Sequence, residues 1–406
     1  MPTRRGLVAS SAALVLVFVD FLDELGAGLP PVSAADIRDE LALAYGGAAL
    51  VLLVAPMLLS LVIEGPLLLL SDRWRRDRMA ALGMLAMGLC MLLAACAASA
   101  WTLALAIGGW ATASGIACGL SQGALMDAYP EERERWMTRW TLMGALGDTL
   151  SPALVLGSVA LGFGWRGALV VAAVLHLLQA IVLARAVRSV EGAGTSVESD
   201  DEEDDAPLLD RLRAGLRDRT LLAWLGGCAL CCLLDELFVA FGAMFMRDAF
   251  GADVATQTAA FTICAIASAV GLALSDRLLR RVDPIRLLRL SSLACAIAFV
   301  LWLSASTVAG SVVALALVGA FAAPLYPICA ARAYAARPGE AGLVAAVDQL
   351  FSPLAIVAPI AVGLLADRFG VLPALTVLLL QPLGVGAIGL AYPRTKSRES
   401  SPVDGS

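Results

Sequence analysis

The sequence predicts an all-α membrane protein: twelve transmembrane helices in two like-oriented six-helix bundles, with both termini cytoplasmic. Three observations carry that expectation. The 406-residue chain is 60% hydrophobic and only 16% charged, whereas a soluble domain carries about 25% charged residues. Its apolar residues come in long blocks, each close to the roughly 20 residues that cross hydrocarbon. Polar landmarks of the first half also recur, in the same order, in the second.

Arg4 and Arg5 precede an apolar run from Leu7 that is long and ends in no convincing small-residue cleavage site, so it reads as a retained first span. The expected spans are 7–29, 44–70, 79–99, 101–126, 140–162, 166–186, 220–245, 254–275, 285–305, 309–333, 341–365 and 371–392. Connections as short as Ala98-Ser99-Ala100 leave only helical hairpins, and backbone groups in lipid must bond within their own segment, so each span is expected to be a helix. With the N-terminus inside, all of the 29 basic residues except Arg38, Arg166, Arg247 and Arg368 fall on the inner side. That asymmetry is the positive-inside pattern, and it places the chain as a multi-pass protein of the cytoplasmic membrane.

Ser199 through Asp205 is too acidic and too poor in apolar residues to build a core. The expected domains are therefore 1–189, an N-terminal six-helix bundle; 190–215, an acidic cytoplasmic linker; 216–392, a C-terminal six-helix bundle; and 393–406, a polar tail. Nine cysteines, an odd number, all lie in apolar segments, which argues against a disulfide framework. Cys228, Cys231, Cys232 and Asp235 share one helical face and have the makings of a soft-metal path, but buried cysteine is more often a small packing residue, and no metal is expected.

The internal repeat is specific. Leu22-Asp23-Glu24-Leu25 matches Leu234-Asp235-Glu236-Leu237, and Ser71-Asp72-Arg73 matches Ser275-Asp276-Arg277. Asp127-Ala128-Tyr129 matches Arg332-Ala333-Tyr334, and the Asp148 to Pro152 stretch matches Asp348 to Pro353. Six spans separate equivalent positions, so the repeat is parallel, with a site expected between the halves.

Carboxylates at bilayer depth are costly and usually functional. Asp20, Asp23 and Glu24 stand at i, i+3 and i+4, hence on one face. Asp235 and Glu236 follow by symmetry, and Asp148 and Asp348 sit beside helix-distorting prolines. In a wet cavity these seven acids can take up and release protons; the plain alternatives are hydrated helix ends and kink-satisfying hydrogen bonds. Glu64, nearer the inner end, is expected to meet the loop arginines, and His176 to pack or hydrogen-bond within its span. With almost no basic residue in the membrane, the cavity favours cationic, zwitterionic or neutral small molecules over anions.

Twelve spans in two like-oriented halves, with Asp72, Arg73, Arg75 and Arg76 after the second span and Asp276, Arg277, Arg280 and Arg281 after the eighth, resemble the major facilitator superfamily. The hallmark loop is incomplete: Leu68 and Arg75 replace its two glycines. The resemblance implies that both loops act as cytoplasmic gates. Ser121 to Asp127, Arg139 to Gly147, Pro152 and Gly157 are similar to the bacterial drug-efflux branch, which implies proton-coupled export by alternating access. Proton-coupled uptake and a non-transporting sensor or scaffold stay open as alternatives. Protons, a small-molecule substrate and the lipid bilayer are the expected partners, with no nucleic acid. No Ser/His/Asp set or phosphate-binding glycine loop is present in the sequence, so neither an enzyme nor a cofactor is expected.

Overall fold

A computed structural model describes residues 4–44, 47–48, 50–71, 76–192, 208–234 and 236–392. The chain belongs to the all-helical class, with no strand among the described residues. Helix α1 is Arg4–Ala27, followed by short α2, Leu29–Val32, and α3, Ala34–Glu40. A π-turn over Leu50–Val54 leads into α4, Ala55–Ser71. Then come α5 (Arg76–Ala95), α6 (Ala100–Ala128), α7 (Arg133–Ala160) and α8 (Gly164–Gly192). The chain continues through α9 (Leu208–Arg217), α10 (Arg219–Cys231), α11 (Glu236–Phe250), α12 (Val254–Leu278), α13 (Pro284–Leu303) and α14 (Val308–Ala322). It finishes with α15 (Leu325–Ala336), α16 (Ala341–Asp348), α17 (Pro353–Phe369), α18 (Val371–Leu375) and α19 (Leu380–Ala391).

Several starts are written in the local sequence. Ser99 caps α6 by accepting from the Thr102 amide at 3.2 Å, and Thr307 caps α14 by accepting from the Gly310 amide at 3.1 Å. Asp283 caps α13 through the Arg286 amide at 3.0 Å, with Pro284 at the first helical position where a missing N–H costs nothing.

Among the described residues, nine helices are long and apolar enough to cross a membrane. They fall on the expected spans two to six, eight to ten and twelve. The first expected span is α1, 24 residues long. The tenth is interrupted between α14 and α15 and the twelfth by a 3-10 turn at Thr376–Leu379, and the seventh and eleventh are broken. A 3-10 turn at Cys232–Leu234 separates α10 from α11, and another at Gln349–Phe351 separates α16 from α17. Pro353 accounts for the second break, because it has no N–H to return to the Gln349 carbonyl.

By contact the chain divides into two units, Met1–Leu225 with Ala330–Ile356, and Gly226–Cys329 with Val357–Ser406. This division follows packing, whereas the expected boundary at 190–215 follows the acidic composition of the linker. In the first unit α1 lies along α7, and α5 packs on α6 and α8. Close approach depends on bare backbone: a Cβ on Gly147 would run into the Phe21 carbonyl, and one on Gly83 into Ala117. In the second unit Phe238, Phe245 and Phe299 surround Trp302, whose indole donates to Ser311 at 3.0 Å inside the core.

The expected outer and inner ends of the first unit are each tied. At the outer end Arg166 donates to Glu40 at 2.8 Å and to the Ala95 and Ala97 carbonyls, while the Trp165 indole donates to Glu40 at 2.7 Å. Arg166 first, then Trp165, hold the Glu40 carboxyl below its ordinary range. At the inner end the repeat-equivalent stretches around Asp127 and Arg332 meet. Arg332 pairs with Glu134 at 2.9 Å, Tyr334 donates to Gln122 at 2.9 Å, and Asp127 accepts from the Gly339 amide at 3.2 Å.

Candidate functional site

The site is built on the second half of α1, where helical spacing puts Asp20, Asp23 and Glu24 on one turn. Asp20 is the deepest, only 9% exposed, and it lies against the Trp140 side chain and the Gly144 backbone of α7. Gly144 permits this: a Cβ there would collide with the Asp20 carboxylate and press on Glu24. Asp23 faces α6, where the Ser114 hydroxyl and Cys118 thiol donate to it, and its Oδ1 is buried without a hydrogen-bond partner. Asp20, Asp23 and Cys118 bring their polar atoms within 4.8 Å of one another. Glu24 and Asp23 act on Asp20 as like charges, so the turn is an acidic knot.

Farther along α1, Ser151 of α7 donates to the Leu25 carbonyl at 2.8 Å. Its neighbour Pro152 leaves the Asp148 carbonyl without an intrahelical donor. Ser151 thus ties this turn of α7 to α1, and the Asp148 side chain is exposed, beside Gly28. Asp348 is likewise exposed, at the end of α16.

Glu64 was expected to meet the loop arginines, whose side chains at 73, 75 and 76 lie outside the described residues. It is 8% exposed, receives the Ser60 hydroxyl at 2.5 Å and the Gln349 amide at 3.1 Å, and lies against the bare backbone of Gly115. Its pitch on α4 turns it toward α6 and α16. Asp348 and Asp23 both act on it as like charges, so the acids reach from α1 through α4 to the 3-10 break.

Of the expected site residues, the structure joins Asp20, Asp23 and Glu24 and connects Asp348 to them through Glu64, while Asp148 stands apart. Asp235 lies outside the described residues, and so does the side chain of Glu236. Of the expected gating loops, Asp72, Arg73 and Arg75 and the side chain of Arg76 also lie outside them. In the second copy Asp276 pairs with Arg280 at 3.6 Å, one turn apart, and Arg277 and Arg281 are exposed. Sequence reasoning passed over Ser114, Cys118, Trp140 and Gln349. A signal for the first two existed: Trp110, Ser114 and Cys118 recur at intervals of four and share a face of α6. His176 packs as expected, its Nδ1 2.7 Å from the Ala172 carbonyl, but its Nε2 is buried without a partner.

An all-helical chain with multiple bilayer-length spans and an acidic knot inside its first helix is an integral membrane protein of the transporter type. The family model described as Major Facilitator Superfamily matches residues 13–345, and the chain belongs to that superfamily. It is similar in fold to FucP in the outward conformation, at 15% identity and a TM-score of 0.73 over 94% of this chain and 99% of that one. A bacterial homologue of the iron transporter ferroportin in an outward-facing state gives 14% identity and a TM-score of 0.73, over 94% of this chain and 98% of that one. The proton:xylose symporter XylE gives 14% identity and a TM-score of 0.64, over 94% of each chain. No curated protein sequence matches the chain.

Proposed function

We propose that the chain is a proton-coupled secondary transporter that exports a small cationic, zwitterionic or neutral organic molecule by alternating access. The observation that carries this is the acidic knot: Asp20 and Asp23 are held by neutral donors, from Trp140, Gly144, Ser114 and Cys118, inside a membrane helix. A carboxylate left there without a cation is a ready seat for a proton or for a positively charged substrate group. Proton and substrate then compete for the same turn, and each drives out the other as the cavity changes sides. The expected twelve-span, two-bundle arrangement supplies that alternation, and the broken seventh and eleventh segments supply irregular backbone beside the repeat-equivalent acids.

Export follows from the similarity of Arg139 to Gly147, Pro152 and Gly157 to the drug-efflux branch. A second reading is uptake by symport, favoured by the fold likeness to the fucose:proton symporter of E. coli and to XylE. The same acids serve either direction. The test is flux in proteoliposomes with an imposed proton gradient. Asp23→Asn combined with Glu24→Gln is expected to abolish gradient-driven flux while leaving equilibrium exchange measurable; unchanged gradient-driven flux would sink the coupling assignment. In inside-out vesicles, substrate entering as protons leave supports export, and co-entry of both supports uptake.

A further inference from the structure

Glu64 is unused by the reading above, and its position is unusual for a carboxylate. It sits near the middle of an apolar helix, and both donors it receives, Ser60 and Gln349, are neutral. Gln349 comes from the break in the eleventh expected span, so this bond fastens α4 to the α16 end of the chain. The packing around it is tight: α16 lies on α4 and on α6, with Ala345 against Gly119 and Ala341 against Gly123. Among the described residues, the charged groups acting on Glu64 are both acidic, Asp348 from α16 and Asp23 from α1. From α6, the bare backbone of Gly115 lies against it. Helix α9, which also touches α4, carries Asp210, Arg211, Arg213 and Arg217, none of them among the groups acting on Glu64.

Resting on the proton-coupled reading, we propose that Glu64 and Asp348 form a proton-operated latch between α4 and α16. With both ionised, the buried Glu64 carboxylate and the Asp348 carboxylate act on each other as like charges and push the helices apart. A proton on either removes the repulsion and leaves the Gln349 bond to hold the junction closed. Gln349 donates whether Glu64 is ionised or neutral, so the bond survives protonation while the repulsion does not. The Arg332–Glu134, Tyr334–Gln122 and Asp127–Gly339 contacts lie at the inner end of the same packed elements, so opening at Glu64 propagates to them. The latch thus adds a second task for the proton. Besides competing with substrate at the α1 knot, it closes the end of the first unit that is expected to face the cytoplasm.

The experiment is a distance measurement on the full chain in proteoliposomes, with the exposed Cys96 and Cys232 replaced by serine. Spin labels are placed at Glu131→Cys and Pro338→Cys, two exposed positions in the turns that flank the Asp127–Gly339 contact. In the parent, the short distance should dominate at acid pH and give way to a longer one as pH rises. Glu64→Gln, which keeps an acceptor for Ser60 and Gln349 without the charge, should hold the short distance at every pH. Asp348→Asn removes the same repulsion from the other side and should likewise hold the short distance at every pH. Gln349→Ala should shrink the short-distance fraction even at acid pH. No pH response in the parent, or an unaltered response in both Glu64→Gln and Asp348→Asn, overturns the latch; if Glu64→Gln does not fold, Asp348→Asn and Gln349→Ala decide alone. Gradient-driven flux of the Asp23→Asn, Glu24→Gln chain, measured in parallel, separates the two readings. Intact flux with an altered distance response removes the coupling assignment and keeps the latch, and lost flux with an unaltered response does the reverse.

Discussion

At the residue scale the acidic knot depends on glycines as much as on acids. Gly144 and Gly147 stand one turn apart on α7, and α1 lies directly on them. Gly147→Ala would force the Phe21 carbonyl away and should cost about 1–3 kcal/mol, the usual range for overpacking a tight contact. The check is thermal unfolding in detergent; an unchanged midpoint would mean that α1 has slack at this point. Glu40 gives a pH-dependent prediction at the outer end. Its folded value lies below the ordinary 4.5, so the Arg166 and Trp165 bonds stabilise fully above that value and are lost as pH falls below it. Glu40→Gln should remove this acid-side transition, read from the fluorescence difference between the parent and Trp165→Phe. Much of the knot was legible, because i, i+3, i+4 spacing needs no tertiary information. The environment of Glu64 was not. Which way α4 rotates is set by Gly115 and by Gln349, whose approach is a long-range contact that spacing along one helix does not encode.

At the element scale, helix starts follow local chemistry and helix breaks follow it only in part. Ser99→Ala should cost about 1 kcal/mol by leaving the Thr102 amide uncapped, seen as earlier loss of helicity in thermal scans. A larger loss is expected in the second unit, where Trp302 is fully buried among Phe238, Phe245 and Phe299. Trp302→Ala should cost about 3–5 kcal/mol and leave the Ser311 hydroxyl without its indole donor. A stability change under 1 kcal/mol would mean that the aromatic cluster repacks around the void (about the limit for tolerated core swaps). Hydropathy placed the long spans because length and apolarity are additive along the chain. It drew the seventh and eleventh as continuous, since a 3-10 turn removes no apolar residue from the window. Pro353 was the visible warning for one break; residues 232–234 carry no comparable sign.

At the scale of the whole molecule, the acidic linker and the packed units separate cleanly in composition. Deleting residues 193–206 should leave flux within about twofold of the parent, since a segment with so few apolar residues contributes no core; loss of activity with normal folding would favour a docking role instead. The repeat made the two halves readable, yet contact groups Ala330–Ile356 with the first half. This division has a consequence for how the protein is made. A ribosome releases the first unit missing its last pieces, with the bare faces of Gly119 and Gly123 and the carboxylate of Glu64 still uncovered. They stay so until residues 226–329 have been synthesised and α15 and α16 emerge behind them. Through that interval the nascent first half must be sheltered by the insertion machinery or by lipid, and a chain cut at 329 would present quality control with an unfilled groove.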